Sequence, residues 1–213
     1  MIKAIIFDLD GVIVSTDDFH YQAWKCLADK EGIYFDREIN NRLRGVSRRE
    51  SLEIVLERSR KQYSEVEKHA MMEYKNNKYI KMLDNLTADA ILPGIKSLLA
   101  YLENENYQIA IGSSSKNTKK ILCQINLFNR FAAIADGTDI KRSKPAPDVF
   151  LAAAEKLGVK PKDCAVIEDA LAGIQAANAA GMLSIAIHDA TQYNEADISI
   201  QKPTDLIKIL KKL

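Results

Sequence analysis

The chain has 213 residues, 47% hydrophobic and 28% charged, which is ordinary globular composition and excludes a disordered, collagen-like or disulfide-stapled protein. Its 30 Lys+Arg against 29 Asp+Glu give a formal net charge of +1, without the basic excess that a nucleic-acid partner demands. Cys26, Cys123 and Cys164 show no C-x-x-C spacing, so neither a zinc site nor a disulfide framework is expected. The first apolar run, 3–7, turns acidic at Asp8. It is too short for a signal segment or a membrane span, so the expected location is the cytoplasm, with no membrane partner.

That run reads as a buried strand, being continuous, β-branched and closed by Asp8 and Gly11. From Asp17 to Asp89 no strand pattern occurs. Trp24, Leu27 and Ala28 fall at helical spacing there, as do Leu52, Val55 and Leu56. A helical block of that length is too long for one crossover and predicts an inserted domain, with hinges at 14–16 and 90–94. Beyond it, a helix at 95–102 opens an alternation of strand runs at 107–112, 131–135, 164–167 and 184–187 with helical stretches at 116–125, 147–157 and 171–180. The expected fold is α/β: a doubly wound, Rossmann-like parallel-sheet core at 1–15 and 92–213, with an all-helical cap at 16–91.

In open sheets of this kind, ligands bind beyond the carboxyl ends of the strands. Four polar clusters fall there: Asp8 and Asp10, the run from Ser113 to Asn117, Lys144-Pro145, and Glu168-Asp169. Residues two apart on extended backbone face the same way, so Asp8 and Asp10 can share a site. Carboxylates that close repel unless a cation or proton intervenes, which suggests Mg²⁺; the same tetrapeptide also suits an Asx turn with Gly11 at positive φ. Pro145 holds Lys144 on an extended loop, where its ammonium suits a phosphoryl group or simply precedes a helix. Ser113 reads either as a phosphate-binding hydroxyl or as a turn residue. No G-x-G-x-x-G, P-loop or G-x-S-x-G is present, so nicotinamide, Walker-type and serine-esterase chemistry lack their usual motifs. Among the histidines, only His20 lies near the first hinge; His69 and His188 read as surface or loop residues.

Phe7-Asp8-Leu9-Asp10-Gly11-Val12, Ser113, Lys144-Pro145 and Glu168-Asp169 resemble the four motifs of the haloacid dehalogenase superfamily. Within it, residues 18–24, 43–52, Lys75-Asn76 with Tyr79, 113–117 and 143–150 are similar to the β-phosphoglucomutase family. That resemblance implies interconversion of β-glucose 1-phosphate and glucose 6-phosphate through the 1,6-bisphosphate. It makes Asp8 the nucleophile and Asp10 the general acid and base. It assigns Mg²⁺ to the Asp8 carboxylate, the Asp10 backbone carbonyl and Asp169, with Glu168 a ligand or a partner of one. Ser113 and Lys144 steady the transferring group, while Arg48, Ser115, Lys116 and Asn117 hold the other phosphate and nearby sugar oxygens. Gly45 and Val46 bring cap backbone to the sugar, beside Ser47. Lys75, Asn76 and His20 link cap closure to Asp10. The implied partners are hexose phosphates, and a monomer is the default. Ser15 and Ala170 depart from the family pattern, which usually has an acidic hinge residue and a hydroxyl residue there. A sugar-phosphate phosphatase is the alternative reading on the same motifs; a binding protein without activity is disfavoured by Asp8 and Asp10 both being present.

Overall fold

The computed structural model describes residues 1–211. Six strands form one parallel sheet: β1 (Ala4–Phe7), β2 (Gln108–Gly112), β3 (Ala133–Ala135), β4 (Cys164–Glu168), β5 (Leu183–Ala186) and β6 (Ile198–Ser199). Their order is β3-β2-β1-β4-β5-β6, so the chain reverses direction across the sheet beside β1. In β1 all four side chains are fully buried, because neighbours and helices cover both its edges and both its faces. Period-two alternation divides them. Ile5 and Phe7 join Leu98, Ile121 and Leu206 on one face, and Ala4 and Ile6 join Val149, Phe150 and Ala177 on the other.

The core helices are α5 (Ile95–Asn104), α6 (Thr118–Gln124), α7 (Asp148–Leu157), α8 (Leu171–Ala179) and α9 (Asp205–Leu210). In α5 the buried set Ile95, Leu98, Leu99 and Leu102 is one helical stripe. Between β1 and α5 lie α1 (Asp17–Glu31), α2 (Arg37–Asn41), α3 (Arg48–Leu56) and α4 (Glu65–Leu83), which form the helical cap. Trp24, Leu27, Leu52, Val55 and Met71 give it an apolar core of its own. Ser47 and Ser64 each start a helix with a reciprocal capping box. Thr16 stands at the same position before α1, yet its hydroxyl does not cap the helix.

The two chain crossings lie side by side. Val14 bridges antiparallel to Ile91, and the Leu92 amide donates to the Ile13 carbonyl at 2.9 Å. We therefore propose 1–15 and 92–213 against 16–91 as the moving units, with this bridged pair between them.

Differences from expectation are local. The run 107–112 pairs only from Gln108, and 131–135 only from Ala133. The last expected strand begins one residue early, at Leu183, which registers with Ala165. Residues 113–117 stay out of α6 because serine side chains take up their amides, as described below. The edge strand β6 and helix α9 had no readable pattern: two residues cannot show alternation, and six hold fewer than two helical turns.

Candidate active site

Every residue expected to act on phosphate, sugar or metal lines one cleft of about 720 Å³ between the carboxyl ends of the strands and the cap. Asp8 ends β1, and Glu168 and Asp169 end its neighbour β4; the carboxylates of these three lie within 4.8 Å of one another. Lys144, on the loop before α7, is 1% exposed and sits inside this group. Its Nζ donates to Asp8 Oδ1, and to Glu168 Oε2 at 2.8 Å. Opposite charge holds Lys144 inside the acidic cluster, so it is not a solvated lysine ahead of a helix.

One ammonium does not balance three carboxylates. Burial, then repulsion from Asp8, lifts Glu168 to about 7; burial, then repulsion from Glu168, lifts Asp169 well above the carboxylate range. A hard divalent cation relieves the same repulsion without protons, so the donor set fits a metal ion bound through oxygen. Glu168 already accepts from Lys144 and from the Ala170 amide at 3.1 Å. The Asp10 carboxylate is not among these three.

Two glycines make room for these acids. Gly11 has φ +85°, and a Cβ on it would lie 2.0 Å from Asp169 Oδ2. Gly173, inside α8, would place a Cβ 2.0 Å from Glu168 Cδ. Helix propensity alone says Gly173→Ala should stabilise by about 1 kcal/mol. We expect the reverse, a loss of about 1–3 kcal/mol in urea unfolding, because the methyl must displace a buried, hydrogen-bonded carboxylate.

Asp10 lies at the cap hinge. Thr16 Oγ1 donates to its Oδ1, and Tyr79 Oη lies 2.9 Å from the same hydroxyl. With the one threonine proton directed at Asp10, Tyr79 is the donor in the second bond. Burial raises the Asp10 carboxyl to about 7, against the lowering effect of the Thr16 bond. Its proton is thus exchangeable near neutral pH, as an acid and base requires.

The cap contributes an aromatic enclosure. Lys75 is 2% exposed, with Nζ 5.0 Å from the Trp24 ring centroid and 4.7 Å from that of Tyr79. Its Nζ lies 2.9 Å from His20 Nδ1; when Lys75 is charged it donates, and neutral His20 then carries its proton on Nε2. Burial, and then the Arg48 charge, hold Lys75 well below its usual range; burial and the Lys75 charge do the same to His20. Asn76 Oδ1 accepts from Arg48 at 2.7 Å and from Asn117 Nδ2 at 3.1 Å, joining cap to core. Removing that acceptor in Asn76→Ala should raise KM about tenfold with a smaller change in kcat, read from initial rates.

The serine loop after β2 is held by its own turns. Ser113 Oγ accepts from the Ser115 amide at 3.2 Å, and Ser115 Oγ accepts from the Asn117 amide at 3.2 Å. Ser113 is buried and Lys116 exposed at the cleft edge. Ser47 is spent on its capping box, so it offers the cleft the placement of Arg48 rather than a hydroxyl. Gly45 and Val46 form the turn before it; an added Cβ on Gly45 would sit 3.5 Å from Ala170 Cβ, so cap backbone rests on the start of α8. Ser15 is exposed, and Ala170 leaves α8 without a side-chain cap. His69 and His188 are exposed as expected, although His69 reaches the cleft mouth. Thr16 and Arg44 also line or support the site and were not singled out as site residues. A threonine before a helix that does not cap it has no signature in sequence.

A parallel sheet whose strand order reverses beside β1, with carboxylates and buried Lys144 on its rim under a helical cover, fits a haloacid dehalogenase-like protein, and the chain belongs to that family. The family profile, haloacid dehalogenase-like hydrolase, matches residues 2–181. The chain is 45% identical to the β-phosphoglucomutase of Bacillus subtilis (strain 168), over 96% of its own length and 91% of the relative's. It superposes on crystalline β-phosphoglucomutase from Clostridium difficile with TM-score 0.94 at 42% identity, covering 100% of this chain and 96% of that one. It is also 32% identical to the fructose-1-phosphate phosphatase of Escherichia coli (strain K12), over 84% of this chain and 92% of the relative.

Proposed function

We infer that the chain is an isomerase, a β-phosphoglucomutase that interconverts β-D-glucose 1-phosphate and D-glucose 6-phosphate. The observation that carries the reading is the pairing, in one cleft, of a nucleophile in an acidic cluster with a separate carboxyl lifted to about 7. An Asp8 oxygen attacks phosphorus of the 1,6-bisphosphate and forms an aspartyl phosphate, while the departing sugar oxygen takes the Asp10 proton. In the second half, after glucose 6-phosphate has left, Asp10 removes the proton of the 6-hydroxyl of an incoming β-glucose 1-phosphate; that oxygen attacks the aspartyl phosphate, the Asp8 O–P bond breaks, and the bisphosphate is regenerated. Lys144 and Ser113 hold the transferring group. Arg48, with Ser115, Lys116 and Asn117, holds the idle phosphate, a task suited to a bidentate guanidinium. Asp8, Asp169 and the Asp10 carbonyl, with Glu168 as a ligand or a partner of one, would hold Mg²⁺, which when bound would supply charge neutralisation at the transferring phosphoryl group.

A cap that closes favours sugar over water as the acceptor, which separates a mutase from a phosphatase. The chain is more similar to β-phosphoglucomutase, at 45% identity, than to the fructose-1-phosphate phosphatase, at 32%, which supports the mutase reading over the hydrolytic one. Among the described residues no helix is long and apolar enough to cross a membrane. Hexose phosphates are too polar to cross a bilayer unaided, which supports work in the cytoplasm. The deciding experiment is an anomer-resolved assay with Mg²⁺ and a trace of the bisphosphate. The β-anomer should yield glucose 6-phosphate and the α-anomer none. Orthophosphate as the sole product would overturn the mutase assignment in favour of the phosphatase.

A further inference from the structure

Cap and core meet on two sides of the cleft. On the β2 side, Asn76 accepts from Asn117. On the β5 side, Arg44 Nη1 donates to Asp189, in the turn that follows β5. Arg44 Nε also lies 3.5 Å from Asp17, the first residue of α1 at the hinge. The next residue, Gly45, rests against Ala170 and Ala172 of the core. His188, just before Asp189, holds the left-handed conformation at φ 54°, a costly state for a residue with a side chain. The turn so formed directs Asp189 at the cap.

We propose that Arg44 and Asp189 form an ionic clasp that closes the cap on the β5 side, making Arg44 a positioning residue that disfavours water as phosphoryl acceptor. The part concerning water rests on the mutase reading above; the clasp itself does not. Arg44 is 36% exposed and Asp189 64%, so the pair is solvent-screened and releases easily. That suits a lid that must open in each turnover.

Hydrogen–deuterium exchange read by mass spectrometry tests the clasp on the full chain, using Arg44→Gln, Asp189→Asn and the double variant. Each single substitution should speed exchange about two- to fivefold in the segment across the cleft as well as its own: Arg44→Gln at 187–192, Asp189→Asn at 42–46. The double variant should match Arg44→Gln, and 0.5 M NaCl should bring the natural chain to the same level. Faster exchange confined to the substituted segment, or additive effects in the double variant, would overturn the clasp. In the same preparations, orthophosphate released per glucose 6-phosphate formed should rise by a similar factor at an unchanged thermal midpoint. An unmoved ratio with a broken clasp would refute the positioning role. If the natural chain forms no glucose 6-phosphate, the mutase reading fails while exchange still decides the clasp.

Discussion

Asp8→Asn is expected to abolish phosphoryl transfer, lowering kcat on the order of 10⁴–10⁶-fold, while the protein folds as before. The substitution preserves shape at the end of β1, and an amide oxygen still accepts from Lys144. What it removes is the nucleophilic oxygen pair and one of three carboxylates clustered within 4.8 Å. Since Lys144 is the only cation paired inside that cluster among the described residues, deleting a charge relieves repulsion. The thermal midpoint should therefore stay or rise, even as activity disappears. Acid-quenched samples mixed with bisphosphate should show a phosphorylated protein mass for the natural chain and none for the variant. Turnover within tenfold of the natural chain would remove Asp8 from the role of nucleophile.

The near-neutral net charge takes on meaning beside this cluster. Exposed ion pairs such as Arg42–Glu57 and Arg49–Glu65 balance each other on the cap surface. The charged groups that matter are few and line the cleft, and they are segregated: acids exceed bases at the core rim, while buried Lys75 and half-buried Arg48 stand on the cap side. Closing the cleft brings the two sets together around an anion.

Much of the architecture was legible because β1 is buried on both faces and its neighbours read as continuous apolar runs. Trp24, Leu27 and Ala28 marked the cap by periodicity, since a helix with one buried stripe repeats at 3.6 residues. The roles of Asp10, Arg48 and Lys75 came through the family resemblance, yet one clue lay in the chain itself. Met71, Lys75, Tyr79 and Leu83 form a stripe spaced by four, and all are buried. A lysine in an apolar stripe is expensive to bury, and so marks a place where a charge is wanted. The Arg44–Asp189 pair had no such mark, because its members are separated by 145 positions and each resembles any surface charge. The Thr16 hydroxyl was hidden for a different reason: before a helix, threonine ordinarily means a cap.

Asp10→Ala should slow the mutase by about 10²–10⁴-fold, and the form of the loss should identify its cause. The side chain is held by one hydrogen bond from Thr16, so its removal leaves β1, the acidic cluster and the cap core in place. Phosphorylation of Asp8 by a sugar phosphate then lacks a proton for the departing alkoxide, whose conjugate acid is weak. A phosphate ester whose leaving group needs no proton, such as p-nitrophenyl phosphate, should lose far less. A loss of equal size with both donors would mean that Asp10 positions Asp8 rather than moving a proton. The pH profile gives a second reading of the same variant. The natural chain, with Asp10 at about 7, needs the carboxyl protonated in one half-reaction and ionised in the other. Its rate should fall on both sides of neutrality, and Asp10→Ala should flatten that dependence across the same range.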